Sequence, residues 1–250
     1  MNAYMEQHEK KKRDYLLPVS IFVAALLISG SLIYNAGKKS TTPDTTNSEL
    51  TQNVGNPLAN FSKIKDDDHI MGKSGAPITF VLYSDTECPF CKNFHFTMQR
   101  VMAEYGDKVA WVYRHAPIDQ LHTKARTEAE ATECAADLGG NGKFWEYLNR
   151  LMEITPSNDG LDGSKLSEIA TYVGLDTKKF NECLASEKYK GKVQTQLDES
   201  IAAGMQGTPY SIIVLNGTPK YTIPGAVPFD EEEKGQPYMK MIMGELLKEI

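Results

Sequence analysis

The sequence predicts an α/β fold: one mixed sheet made from a βαβ unit and a ββα unit, split by an inserted all-helical domain and preceded by a single N-terminal transmembrane helix. Three observations carry this. A run of nineteen uncharged residues, Leu16 to Tyr34, lies near the N-terminus. Further on, two short β-favouring apolar runs flank a segment of helical period. A long helix-patterned stretch then precedes a third such run, which ends in Asn216-Gly217. The composition agrees with a folded body. Of 250 residues, 41% are hydrophobic and 24% charged, which excludes a mainly disordered chain and a polytopic membrane protein. The net charge of −6 argues against a nucleic-acid-binding surface. Residues 1–40 nevertheless carry +3, so a basic start leads an acidic body.

The elements follow in chain order. Leu16 to Tyr34 would reach about 28 Å as a helix, the thickness of a bilayer core. Lys10 to Arg13 precede it and only Lys38 and Lys39 follow, so the positive-inside rule leaves residues 1–14 in the cytoplasm and the body outside. A cleaved signal peptide is the rival reading. Cleavage after Ala36 would put bulky Tyr34 at the third position before the cut, so an uncleaved anchor over 15–36 is the expectation. Residues 37–60 are rich in Thr, Asn, Ser and Pro and read as a flexible linker spanning about 25–30 Å. The body starts at 61. Pro77 to Ser84 reads as a buried strand, Phe90 to Tyr105 as a helix stopped by Gly106, and Lys108 to His115 as a second, parallel strand. Helices are expected over 124–138, 142–154, 164–173, 177–185 and 188–203. Tyr210 to Leu215 is a strand, Asn216-Gly217 a hairpin turn, Lys220 to Ile223 the return strand, and 236–250 a closing helix. Residues 61–117 and 206–250 thus form the sheet domain and 118–205 the helical insertion.

The chemistry concentrates at Cys88-Pro89-Phe90-Cys91. The spacing puts both sulfurs on the first turn of the helix after the first strand, with Cys88 at the N-cap and Cys91 turned inward. Free backbone N–H groups and the positive helix end favour a thiolate there, below the free value of about 8.5. Pro89 suits the first helical turn. Dithiol exchange follows: Cys88 attacks or is attacked, and Cys91 resolves the mixed disulfide. A zinc site is the main competitor. One C-x-x-C supplies two ligands, and Cys134 and Cys183 would have to supply the rest without a second close pair, so no metal is expected. An inert structural disulfide is the other. His95 is read as packing on its helix or facing solvent. Asp85 and Glu87 are read as solvated carboxylates, with an acid–base role left open. Gly207-Thr208-Pro209 opens the third strand, and a cis proline there would present the Thr208 backbone to an extended substrate.

Several segments together resemble DsbA-like thiol-disulfide oxidoreductases. They are Tyr83-Ser84-Asp85-Thr86-Glu87-Cys88-Pro89-Phe90-Cys91-Lys92-Asn93-Phe94-His95, Asp68-His69-Ile70-Met71-Gly72 leading into Ala76-Pro77, Arg114-His115-Ala116-Pro117, Gly142-Lys143-Phe144-Trp145 and Gly207-Thr208-Pro209. The resemblance covers about residues 66–250. It implies a thioredoxin-like fold with the helical insertion, Cys88 as nucleophile, Cys91 as resolving cysteine and Thr208–Pro209 as the cis-proline loop. The dipeptide Pro89-Phe90 departs from the Pro-His of the best-studied strong oxidants, so no imidazole is expected near Cys88 and one source of thiolate stabilisation is missing. Four cysteines allow three pairings. With Cys88 and Cys91 paired, Cys134 and Cys183 remain, and anchored members of the family resemble this chain in tying the insertion with a second disulfide. Two free buried thiols are the alternative; the oxidising compartment favours the bond.

The function implied is a membrane-anchored, extracytoplasmic thiol oxidase, monomeric and without a cofactor. It would form disulfides in exported cysteine-containing proteins and be re-oxidised by a membrane partner of the DsbB or vitamin-K-epoxide-reductase-like type. A reductase or isomerase of the same fold is the alternative. Isomerases of this group dimerise through a separate N-terminal domain, for which residues 37–60 are too short and too polar. A non-catalytic binding module is the third reading, and retention of both Cys88 and Cys91 speaks against it.

Overall fold

Three strands of nearly unbroken apolar sequence set the architecture. Ile78–Ser84 (β2), Val109–His115 (β3) and Tyr210–Leu215 (β4) are buried at every residue, as strands covered on both faces must be. The computed structural model describes residues 57–230 and 235–250. The expected anchor, its cytoplasmic tail and residues 37–56 of the expected linker lie outside them. Among the described residues no helix is long and apolar enough to cross a membrane.

The sheet order is β1-β3-β2-β4-β5, with β1 at His69–Gly72 and β5 at Thr218–Pro224. Only β2 and β3 are parallel, in the register Ile78 with Val109 through Ser84 with His115. The other pairs are antiparallel. Helix α1 (Pro89–Tyr105) makes the crossover from β2 to β3. It ends at Gly106, whose φ of 51° lies in the left-handed region that favours glycine. This is the expected βαβ–ββα sheet, with β1 added at one edge.

The insertion holds α2 (Ala125–Ile154), α3 (Lys165–Tyr172), α4 (Thr177–Ala185) and α5 (Lys190–Ala202). The two helices expected over 124–138 and 142–154 are the two halves of α2, which meet at a kink at Gly140, whose φ of 74° a helix interior cannot hold. The closing helix α6 spans only Met239–Leu246, where Met239, Met243 and Leu246 form the buried stripe.

Side-chain alternation divides the cores. Phe80, Leu82, Trp111, Tyr113 and Ile213 face α1, the second half of α2 and α6. Val81, Tyr83, Val112, Ile212 and Val214 face the opposite side, where Leu58, Phe61 and Leu197 pack on them. The last four residues of the expected linker, Pro57–Asn60, therefore form a 3-10 turn instead of a free coil, because Leu58 finds apolar cover. The insertion has its own core of Tyr147, Leu151, Leu166, Ile169 and Phe180. Cys134 and Cys183 form a disulfide there, with Cα atoms 5.9 Å apart.

Two buried charge clusters stitch these layers together. Glu133 on α2 lies 3.0 Å from His69 Nε2 on β1, 3.1 Å from His115 Nε2 on β3 and 2.9 Å from Lys192 Nζ on α5. Burial opposes its charge, but the two imidazoles hold its pKa well below the usual carboxylate range. On the far face, Arg114 donates to both Asp68 oxygens at 2.9 and 2.7 Å, to the carbonyls of Ser62 and Lys63, and to Tyr83 Oη. Arg114 thus fastens the chain entering the fold to the sheet. Arg114→Met would leave the buried Asp68 carboxylate without its cation, held only by the Lys65 N–H at 2.8 Å. Urea unfolding should show a loss of about 3 kcal/mol; a loss below about 1 kcal/mol, the scale of an exposed pair, would contradict the assignment.

Candidate active site

The site forms where β2 ends and α1 begins. Cys88 is the N-cap of α1 in extended conformation (φ −78°, ψ 121°), and Pro89 occupies the first turn. With no side-chain cap present, the first N–H groups of the helix face the Cys88 sulfur. The Cys88 pKa falls to about 6. The Cys91 thiol is the largest cause, burial works against it, and the backbone N–H groups of Cys91 and Phe90 and the Thr208 side chain add to the lowering. Cys91 goes the other way. Burial and the adjacent Cys88 push its thiol well above the ordinary value, against smaller help from the Ser84 hydroxyl and the Asp85 N–H. Both cysteines are free thiols, Cys88 retaining 5% exposure and Cys91 none.

The other sequence-chosen residues meet here. The Thr208–Pro209 peptide is cis. The Cys88 thiol lies 3.5 Å from the Thr208 carbonyl, to which it donates. Phe90 is 64% exposed and projects its ring from the motif. A groove beside α1 is lined by Asn93, Phe96, Thr97, Val227 and Phe229. Cys134 and Cys183 are bonded to each other, so they complete no metal site with the C-x-x-C.

One expectation is decided and two need correction. Of the two places offered for His95 the first holds: it is buried, its Nε2 lies 3.3 Å from Gln99 Nε2 on its own helix and 2.8 Å from Asn149 Oδ1, and it meets the Trp111 ring edge-on. Burial lowers its pKa to about 4, so it is neutral. Asp85 and Glu87 are not solvated either. Asp85 accepts from the Glu87 N–H and the Ile118 N–H, both at 2.8 Å, and pairs with His122. Glu87 has no exposure and meets Glu128 of α2, itself 2% exposed. Burial first, then the Glu87 carboxyl, raises the Glu128 pKa to about 9, so at neutral pH the pair keeps a proton.

Sequence reasoning missed His122, Glu128 and Asn158, all from the insertion. Asn158 N–H donates at 2.8 Å to the carbonyl of Glu87, the residue before Cys88. Ser157, Asn158 and Asp159 are consecutive non-glycine residues at φ 66°, 54° and 60°, a strained turn set against the motif. Glu128 had one available signal. Ala125, Ala129, Ala131 and Ala135 share one face of α2, and Glu128 lies in the middle of that face, so an acid set among small residues on a packing face points to burial.

Comparisons with known proteins agree with this geometry. A family model described as thioredoxin matches residues 65–219. Among curated proteins, the Na(+)/H(+) antiporter NhaA 1 of Mycolicibacterium gilvum is 33% identical over 152 residues, which is 60% of this chain and 23% of that one. The chain thus spans about a quarter of the length of the curated relatives it matches. Among solved structures, Pseudomonas aeruginosa DsbA2 aligns at a TM-score of 0.55 and 27% identity, over 65% of this chain and 89% of that one. The thiol-disulfide exchange protein alpha-DsbA2 of Wolbachia pipientis aligns at 0.59 and 16% identity, over 73% and 87%.

Proposed function

The chain belongs to the thioredoxin family, and from that premise we propose that it is a thiol-disulfide oxidoreductase that forms disulfide bonds in exported proteins. The observation that carries this is the placement of the two thiols: Cys88 stands at the helix N-cap against the cis-proline loop, where ionisation is favoured, while Cys91 is wholly buried behind it, where ionisation is opposed. A substrate thiolate attacks Cys88 Sγ of the oxidised enzyme. The electrons of the Cys88–Cys91 bond pass to Cys91, which takes up a proton. The second substrate thiolate then attacks the substrate sulfur of the mixed disulfide. Cys88 leaves as a thiolate, and the substrate departs oxidised. A leaving group ionised at neutral pH favours this direction, because it stabilises the reduced enzyme. The exposed Phe90 ring, the Thr208 carbonyl and the groove between Thr97 and Phe229 offer an unfolded polypeptide apolar contact and a main-chain partner.

The uncharged run Leu16 to Tyr34 supports a membrane-anchored, extracytoplasmic placement with the N-terminus in the cytoplasm. In that setting a membrane re-oxidase of the DsbB or vitamin-K-epoxide-reductase-like type takes the electrons from Cys88 and Cys91, and the protein works as a monomer. N-terminal sequencing of the chain from a membrane fraction tests the anchor; a start near residue 37 contradicts it. The activity is tested by equilibrating the dithiol with glutathione and by oxidative refolding of a reduced substrate. The expected potential is well above the thioredoxin value of about −270 mV. Cys88→Ala should abolish substrate oxidation and Cys91→Ser should accumulate mixed disulfides. A potential near the thioredoxin value would reverse the direction to reduction. Full activity in Cys88→Ala would end the exchange reading altogether.

A further inference from the structure

The motif carries phenylalanine where an imidazole would help hold a thiolate, yet an imidazole arrives from another element. His122 lies in the turn between β3 and α2, its N–H donating to the Ile118 carbonyl at 2.9 Å. Its Nδ1 is 3.0 Å from Asp85 Oδ2, and both residues are buried. Asp85 in turn touches both cysteines. Its N–H donates to Cys91 Sγ at 3.4 Å, and its carbonyl accepts the Cys88 N–H at 3.3 Å. A buried carboxylate at that place would by itself oppose a neighbouring thiolate. An imidazolium paired with it would remove that opposition.

Resting on the dithiol-exchange reading, we propose that His122 is a positioning residue that acts through Asp85 to supply, from the insertion, the positive charge that the Pro-Phe motif lacks. The charged groups around it fit. Asp85 and Cys88 face it from the β2–α1 junction, and Asp159 faces it from the turn after α2. The Asp159 carboxylate is itself held by the N–H groups of Thr123 and Lys124 and by the Thr123 hydroxyl. Glu128, the other acid near Asp85, keeps its proton. Burial of the imidazole opposes its charge; Asp85, then the Cys88 thiolate, then Asp159 raise its pKa above the ordinary histidine value.

A purely structural role predicts something different, and His122→Asn separates the two. Asparagine offers Asp85 an N–H donor where Nδ1 stood but carries no charge. In the reduced full chain, thiolate absorbance and iodoacetamide alkylation are followed against pH. The folded variant, checked by circular dichroism, should show a raised Cys88 pKa and about half as much reactive thiolate at pH 6, since a rise of half a unit from about 6 takes the ionised fraction from about one half to about one quarter. Its dithiol–glutathione equilibrium should move by a similar factor toward the disulfide. A second measurement needs no change at His122. Because coupling is reciprocal, the His122 imidazole, followed by NMR, should titrate lower in Cys88→Ser than in the reduced parent. An unchanged Cys88 pKa in folded His122→Asn, or an unchanged His122 titration in Cys88→Ser, overturns the proposal. Absence of exchange in the parent overturns the underlying reading instead.

Discussion

Glu128→Gln is expected to remove a loss of stability that the parent suffers as pH rises. In the unfolded chain this carboxyl ionises near 4.5, and in the fold near 9. Between those values the folded protein holds a proton that the unfolded chain has released. Stability therefore falls as pH rises through this window, by up to about 1.4 kcal/mol per pH unit, and levels off above the folded value. Between pH 5 and pH 8 the accumulated difference is on the order of 4 kcal/mol. Glutamine keeps an N–H donor for Glu87 and has no proton to lose, so the variant should gain on the parent as pH rises. Urea unfolding of both proteins at pH 5 and pH 8 measures this. Parallel pH dependence in the two proteins would show that Glu87 and Glu128 do not share a proton.

The second large effect is expected at the insertion's disulfide. Cys134 and Cys183 close a loop of sequence separation 49. Chain entropy gives such a link about 4 kcal/mol. Replacing both cysteines by alanine removes little volume from the core around Tyr147 and Phe180, so the loss should come mainly from the unfolded state. Denaturant midpoints of the double variant, with Cys88 and Cys91 reduced in both proteins, measure it. A change below about 1 kcal/mol would mean that the unfolded chain already holds α2 and α4 together.

What the sequence revealed followed from strong, local signals. The β-branched runs of β2, β3 and β4 announced buried strands, and Asn216 and Gly217 adopt the positive φ angles, 48° and 79°, of the turn their dipeptide favours. Cys88 and Cys91 were legible because strand, proline and helix fix where two sulfurs three residues apart must lie. Strand β1 was not, since its four residues alternate too briefly to show a period and are held by pairing with β3 and by Glu133. The buried acids were missed for a related reason. A charged residue reads as surface unless its partner is known, and the partners of Asp85 and Glu87 lie 37 and 41 residues away, at His122 and Glu128. Helix α6 was overestimated because apolar period alone marks no start; the ordered helix begins at Met239, after Tyr238.

The grip of the insertion on the motif has a consequence for how such chains diversify. Ile118 and His122 hold the Asp85 carboxylate, and Asn158 holds the Glu87 carbonyl, so the four-residue motif does not alone set its own chemistry. Redox character becomes a transplantable property: grafting residues 118–205 from a relative onto an unaltered Cys-Pro-Phe-Cys should retune the electron affinity of the pair.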